Sequence, residues 1–203
     1  MKCCEMPYTR PDIDETKKSF DSLTERLASA KSYADAKEVF LEEQKLEKHI
    51  DTLVNLVSIR HSVNTRDKFY DEEKNFWNGA MPELQEYMQK WTGAMLATPF
   101  REDFSAEYGD LMFVNAEISL KAFSPEIIPE LQRENELVQE YEKLLASAQI
   151  PFEGGVYTLS QLSPFKTGAD DKRRLAAWKA EGRWYKEHGE KLDSIYDELV
   201  HLR

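Results

Sequence analysis

The sequence has few cysteines that could form disulfides and no long apolar segment that could act as a signal peptide or a membrane span. Only two of its 203 residues are cysteines, Cys3 and Cys4, and they are adjacent near the N-terminus, where they cannot cross-link a fold. This usage is typical of a reducing compartment. The opening segment MKCCEMPYTRPD lacks the apolar stretch of a secretory signal, and no uninterrupted apolar run approaches the ~18 residues of a membrane span. These absences predict a cytoplasmic protein.

Positive charge is also scarce. Lysine and arginine number 27 against 38 aspartates and glutamates, so the net charge is −11 at pH 7. Nucleic-acid binding depends on clustered Lys and Arg side chains that neutralise phosphates, and an anionic membrane surface makes the same demand. We therefore expect no nucleic-acid partner and no membrane partner, and interpret the acidity as that of a well-solvated helical surface.

Apolar residues recur at helical spacing along most of the chain, which predicts an all-α bundle of long helices. We expect a single helical domain over residues 1–203, with residues 1–9 as a flexible terminus. Capping residues mark the helix starts. The predicted helices cover 12–30; 32 to about 63; Thr65 or Asp67 to about 98, with a break or kink at Gly79 and Pro82; 100–123, with Gly109 inside; 124–147; and 170–202.

One segment, QIPFEGGVYTLSQLSPF, predicts a short β-hairpin around residues 150–159. Its strands would be 150–153 and 156–159, with Gly154 and Gly155 in a type I′ turn that needs positive φ twice. Pro151 cannot donate to a ladder, so its strand must be an edge. Because a lone hairpin is marginally stable in water, we expect one face to rest on this chain's helices and the other to be exposed or covered by a partner.

The last predicted helix carries an apolar stripe that we interpret as its buried face. Two glycines, Gly182 and Gly189, lie within it, and each costs about 1 kcal/mol relative to alanine in a helix interior. We therefore predict that both are notches for a close-packed ring or backbone. The stripe consists of Leu175, Trp178, Gly182, Tyr185, Gly189, Leu192, Tyr196 and Leu199.

No constellation of residues predicts catalysis. An H-E-x-x-H zinc motif is absent, because none of the four histidines is followed by glutamate. Glu198 and His201 form one E-x-x-H pair, whereas a di-iron bundle needs two such pairs and further glutamates. Phosphate-binding, dinucleotide, C-x-x-C and G-x-S-x-G motifs are missing as well. The sequence therefore predicts no catalytic residue, no cofactor-binding residue and no metal ligand in this chain.

Polar residues are concentrated in the segment IRHSVNTRDKFYDEE. Arg60, His61 and Asp67 could form a binding cluster, or the first two could complement a helix C-terminus while the third caps the next helix. We favour the capping interpretation. We likewise interpret four aromatic side chains as core residues rather than as a ligand-binding box: Trp77, Trp91, Trp178 and Tyr185.

The order of four segments resembles the N-terminal part of oligoendopeptidase F, in the M3 family of zinc metallopeptidases that includes Pz-peptidase-like bacterial enzymes. The resemblance runs from about Tyr8 to the last residue. It implies a mostly helical cytoplasmic oligopeptidase with a deep internal channel. The segments are IRHSVNTRDKFYDEE, PFREDFSAEYGDLMF, KAFSPEIIPELQRENELVQEYEKLLASAQIPFEGGVYTLSQLSPF and LDSIYDELVHLR.

The resemblance also implies what this chain would lack. In the family, Zn²⁺ is held by an H-E-x-x-H helix and a downstream glutamate in the C-terminal half, which this sequence does not include. The chain would then form part of the substrate-channel wall, with an oligopeptide substrate and the C-terminal catalytic half as partners. Alone, we expect it to bind no zinc, to be inactive and to form a homodimer. The alternative is a free-standing helical interaction module derived from that region.

Overall fold

Eight α-helices and one antiparallel hairpin form the regular structure of residues 5–203, the part of the chain that this computed structural model describes. Cys3 and Cys4 lie outside the described residues. The predicted all-α fold with one short hairpin is confirmed. The helices are α1 (Ile13–Ala28), α2 (Tyr33–Val63), α3 (Lys68–Ala97), α4 (Arg101–Tyr108), α5 (Leu111–Ala122), α6 (Ile128–Ala146), α7 (Leu159–Lys166) and α8 (Asp171–Leu202), and the strands are β1 (Ile150–Phe152) and β2 (Gly155–Tyr157).

Side-chain caps start four of the predicted helices as expected. Asp12, Ser32, Asp67 and Asp170 each have extended backbone and accept a hydrogen bond from an N–H group in the first turn. These bonds satisfy donors that have no partner within the helix. A short 3-10 helix, Pro125–Ile127, precedes α6 where the sequence predicts a helix start.

Two predictions of helix continuity differ from the structure, in opposite directions. The helix expected over 100–123 is divided into α4 and α5, because Gly109 ends α4 with φ of +86°, outside the helical region. Conversely, the break predicted at Gly79 and Pro82 is absent, because α3 continues through both residues, whereas the alternative of a kink stays a prediction. Proline disfavours a helix interior by about 3 kcal/mol, but the neighbouring Ala80 and Leu84 are buried in the core, and their packing holds the helix together.

The chain divides into two compact units, with the boundary between Gln132 and Arg133. In the N-terminal unit, α3 packs against α1, α2 and α5. Two core clusters result, one around Trp91 and Phe104 and the other around Trp77 and Leu84. Full burial of each such side chain stabilises the fold by about 1.5–3 kcal/mol. The single-domain assignment stays a prediction.

The first described residues make specific contacts within the N-terminal unit. The backbone carbonyl of Met6 accepts a hydrogen bond from Arg60, and the Tyr8 hydroxyl contacts both Glu73 and Trp77. The expected flexibility of residues 1–9 stays a prediction, but Met6 and Tyr8 are tied to α2 and α3.

In the C-terminal unit the hairpin rests on helices, as predicted. Ile150 and Phe152 of β1 pack in one cluster with Leu162 of α7 and Trp184 of α8. On the opposite face, Val156 is 62% exposed, which confirms that one hairpin face stays uncovered in this chain.

The hairpin turn lies one residue earlier than predicted. Glu153 and Gly154 occupy the two turn positions, with φ of +46° and +79°, and Phe152 pairs with Gly155. Gly155 is instead needed for close contact, because a Cβ there would lie 2.7 Å from the Tyr157 hydroxyl oxygen. Arg173 donates two hydrogen bonds to the Glu153 carboxylate and helps to fix this turn.

Helix α7 is absent from the sequence prediction, which extended the second strand to 159. Thr158 accepts from the Gln161 N–H, and the Gln161 side chain accepts from the Thr158 N–H. This is a capping box, whose T-x-x-Q signature is visible in the sequence.

The predicted buried stripe of α8 is wrong for most of its members, although Leu192 packs against the core. Its buried side chains are Ala177, Ala180, Trp184 and Ile195, about a third of a turn away. On the predicted stripe, Trp178 is 57% exposed and Tyr196 is 69% exposed. A Cβ added at Gly182 or Gly189 would meet no atom within 4 Å, so neither glycine is a packing notch in this chain.

Gly182→Ala should therefore stabilise the isolated chain by about 0.5–1 kcal/mol, because alanine lowers the conformational entropy of the unfolded state and meets no obstacle. Urea denaturation followed by circular dichroism measures the change. The matched control is Gly155→Ala, which should destabilise because Tyr157 must move. Equal or lower stability of Gly182→Ala would contradict the open space at that position.

Candidate functional site

The polar cluster anticipated between α2 and α3 is structural. Asp67 caps α3, and Arg60 and His61 lie in the last turn of α2, as the capping interpretation predicts. Arg60 donates to the Tyr70 hydroxyl. His61 is fully buried, with Nε2 3.3 Å from an oxygen of Asp71. These contacts hold the helix junction together, and they leave His61 inaccessible to a ligand.

Glu198 and His201 have separate partners. The Glu198 carboxylate accepts two hydrogen bonds from Arg133, and His201 Nδ1 lies 2.7 Å from the Asp197 carbonyl oxygen. Among residues 5–203, no three His, Cys, Asp or Glu side chains come together in a way that could hold a metal ion. None of the helices in that range combines the length and hydropathy that a membrane span requires.

The aromatic residues divide into core and surface. Trp77 and Trp91 are buried, which confirms their interpretation as core residues. Trp178 and Tyr185 are exposed, so the same interpretation is wrong for them. Trp184, which the sequence analysis did not select, is the buried aromatic residue of α8 and stacks on His188.

Exposed apolar and aromatic side chains recur along one side of α8, and we term them, with the glycines between them, the α8 aromatic face. Its members share one side of the helix because they recur at spacings of three, four and seven. Lys166 of α7 borders the surface, with Nζ 4.6 Å from the centre of the Trp178 ring. The face consists of Leu175, Trp178, Gly182, Tyr185, Gly189, Tyr196 and Val200.

A buried carboxylate connects the N-terminal segment to α3. Glu73 accepts hydrogen bonds from Arg10 at 2.6 and 3.0 Å and from the Tyr8 hydroxyl at 2.5 Å, and Trp77 Nε1 donates to Tyr8. Burial favours a higher pKa for Glu73, but the bonds from Arg10 and Tyr8 outweigh it and the pKa lies below its usual value. This network is not visible in the sequence, because its partners are more than 60 positions apart.

A second buried carboxyl, Glu43 of α2, has no cationic partner among residues 5–203. Its side chain is nearly inaccessible, and residue 43 as a whole is 2% exposed. One oxygen accepts a long hydrogen bond of 3.3 Å from Gln44 Nε2. Burial, followed by repulsion from Glu47, raises the pKa of Glu43 to about 7. The available sequence signal was an acidic residue three positions after Phe40, on the apolar stripe of α2.

Comparisons with known proteins find relatives that are all named as peptidases. Residues 4–123 match the family model described as the peptidase M3 N-terminal domain. A crystal structure of a protein named as an oligoendopeptidase F is 37% identical, with a TM-score of 0.96, over all of this chain and 36% of the other. Another so named, from Bacillus anthracis, is 41% identical, with a TM-score of 0.95, over 98% of this chain and 37% of the other. PZ peptidase A, solved with an inhibitor, is 36% identical, with a TM-score of 0.95, over 99% and 36%.

A comparison with curated proteins gives no match. The chain spans just over a third of the length of each of the three solved proteins.

Glu73→Gln should destabilise the chain by about 1.5–3 kcal/mol at pH 7, because it removes a charge that accepts bonds from Arg10 and Tyr8. Since the pKa of Glu73 is lowered by folding, its contribution is present above the unfolded pKa of about 4.3 and is lost as the pH falls through the folded value. Urea denaturation of the wild type and the variant at pH 7 and at pH 3.5 measures the loss of stability and its dependence on pH. A pH-independent difference would argue against this ion pair.

Glu43→Gln should instead stabilise the chain, and the gain should grow as the pH rises. A carboxyl whose pKa is raised to about 7 contributes a cost that is small below the unfolded pKa and complete above the folded one. The variant should be more stable than the wild type by up to about 3 kcal/mol at pH 8 and by under about 1 kcal/mol at pH 5. Glu38→Gln, at an exposed position of the same helix, should show no such pH dependence, and a similar gain there would contradict the assignment.

Proposed function

The chain belongs to the M3 peptidase family through its N-terminal domain, and we propose that it is the N-terminal helical region of a zinc-dependent oligoendopeptidase that hydrolyses short peptides. The observation that carries this proposal is the match of the whole fold, at a TM-score of 0.96, to about a third of a protein named as an oligoendopeptidase F. A cytoplasmic location is part of the same proposal.

The residues of this chain do not fit a catalytic zinc site. Such a site needs three protein ligands and an open position, and residues 5–203 bring no such set together. We therefore assign the zinc ligands and the catalytic groups to the remaining two thirds of the enzyme. This chain by itself would bind no zinc and cleave no peptide.

We assign this chain a structural role in the wall of the substrate channel. The exposed apolar residues of the α8 aromatic face support a contact between this chain and the rest of the enzyme, because exposed apolar patches on soluble proteins often mark a place where a partner binds. Open space over Gly182 and Gly189 leaves room for a closely approaching element of the catalytic part. Val156, on the uncovered hairpin face, is a second place where the catalytic part would complete the fold.

Reconstitution tests this proposal. The chain would be mixed with a separately purified C-terminal part of an oligoendopeptidase F, and zinc content, association and peptide cleavage would be measured. We expect this chain alone to bind no stoichiometric zinc, and the mixture to associate and to cleave peptides in an EDTA-sensitive reaction. Trp178→Ala combined with Tyr196→Ala should weaken association at least tenfold, since exposed aromatic anchors dominate interface energetics.

Two further variants control this experiment. Gly182→Leu should fold, because the space above residue 182 is open, yet should block association if the catalytic part packs there. Val63→Ala, at an exposed position of α2, should leave association unchanged. One tightly held zinc in the isolated chain, with peptidase activity, would refute the proposal. A stable homodimer that forms through α8 and does not bind the catalytic part would favour the free-standing interaction module instead.

A further inference from the structure

A cavity of about 280 Å³ lies among α2, α3 and α5 within the N-terminal unit. A single water requires about 10–15 Å³ of such space, so the cavity is large enough for a small organic ligand. Its walls include buried side chains, such as Trp91, and half-buried ones, such as Glu47 and Met88, so one side opens to solvent.

The walls of the cavity differ in charge and polarity. Helix α2 supplies Glu43 and Glu47, whereas the lining from α3 and α5 carries no charged side chain among the described residues. That lining is rich in thioether and aromatic groups, including Met88, Trp91, Met95 and Met112. One end of the cavity is therefore acidic and the rest is apolar.

Glu43 supplies an independent indication of a missing partner. Its carboxyl is almost wholly buried and borders the cavity, yet no Lys, Arg or His of residues 5–203 lies within 4 Å of it. Its one hydrogen bond, from Gln44, is long. Buried carboxylates are normally paired with a cation or fully hydrogen-bonded, so a cation in the cavity would supply what the chain does not.

We propose that this cavity binds a primary alkylammonium group on a chain of about five carbons, with the ammonium at Glu43 and Glu47 and the alkyl chain among the methionines and Trp91. The group could belong to a free amine or to a lysine side chain. The apolar walls accommodate its methylenes, and methionine side chains adapt to irregular ligands. The residues of this site are different from those of the α8 aromatic face, and the proposal does not depend on the peptidase role.

Other ligand classes fit less well. A divalent cation fits less well, because no third His, Cys, Asp or Glu of residues 5–203 joins Glu43 and Glu47 in a group that could hold a metal ion. A neutral apolar ligand would remove the remaining solvent from Glu43 without providing a counter-charge, which burial makes costly. An anion would be repelled by both carboxylates.

Methyl NMR of the protein labelled with ¹³C-methyl methionine tests the proposal. Titration with n-pentylammonium chloride at pH 8 should shift the methyl signals of Met88, Met95 and Met112. Met81, which does not line the cavity, should stay unchanged. The indole signal of Trp91 should move, while those of Trp178 and Trp184 serve as internal controls. Neutral n-pentanol at the same concentrations should produce at most a tenth of the effect.

Variants and pH identify the acidic end. Glu43→Gln, which keeps the side-chain shape, should weaken pentylammonium affinity about tenfold, and Glu47→Gln should weaken it by less. Glu38→Gln is the matched control on α2 and should bind as the wild type does. Since the pKa of Glu43 is raised to about 7, its ionised fraction and the affinity should both fall about tenfold from pH 8 to pH 6, while the amine stays protonated.

N-acetyl-lysine N-methylamide distinguishes the two sources of the ammonium group. Binding of this compound with similar affinity assigns the site to lysine side chains of peptides, and its exclusion assigns the site to free amines. The proposal is overturned if pentylammonium leaves the cavity methionines unshifted at tens of millimolar, if pentanol binds equally, or if Glu43→Gln binds as tightly as the wild type.

Discussion

The N-terminal unit depends on the apolar contact between α3 and the two helices before it. Both core clusters draw on α2 and α3: one contains Phe40 and Trp91, and the other contains Ile50 and Leu84. Because the two clusters share these long helices, the position of α3 fixes the register of the whole unit. The same contact keeps α3 continuous through Pro82 and places Glu73 where Arg10 and Tyr8 reach it.

Two buried glutamates of the N-terminal unit differ in the partners that surround them. Glu73 is buried with a full set of charged and neutral donors, so its charge is retained. Glu43 is buried with one weak donor, so its proton is held more tightly and the charge is unfavourable. A buried carboxyl with partners is an ordinary structural device, whereas one without a counter-charge beside a cavity indicates a place for a ligand. Both residues are glutamates within long helices, and their different pKa values result from their different surroundings.

The C-terminal unit buries one apolar side of α8 and leaves another exposed. Helix α8 has two apolar sides: the hairpin and α7 cover Ala177, Ala180 and Trp184, whereas Trp178 and Tyr196 are left exposed. Ala177 and Ala180 lie in the same core cluster as Ile150 and Phe152 of β1. Helical periodicity reports that a side is apolar but does not report what covers it. For that reason the stripe of α8 was recognised correctly and assigned to the wrong environment.

The sequence by itself determined the fold class, most helix starts and the family, because capping, periodicity and segment order are local properties that survive in a linear pattern. Asp12, Ser32 and Asp67 cap their helices as the sequence predicts. Only the tertiary structure decided the turn at Glu153, the burial of Glu43 and the exposure of Trp178. Each of these depends on which distant side chains are brought together, and the pairing energies that select one arrangement are not encoded at any single position.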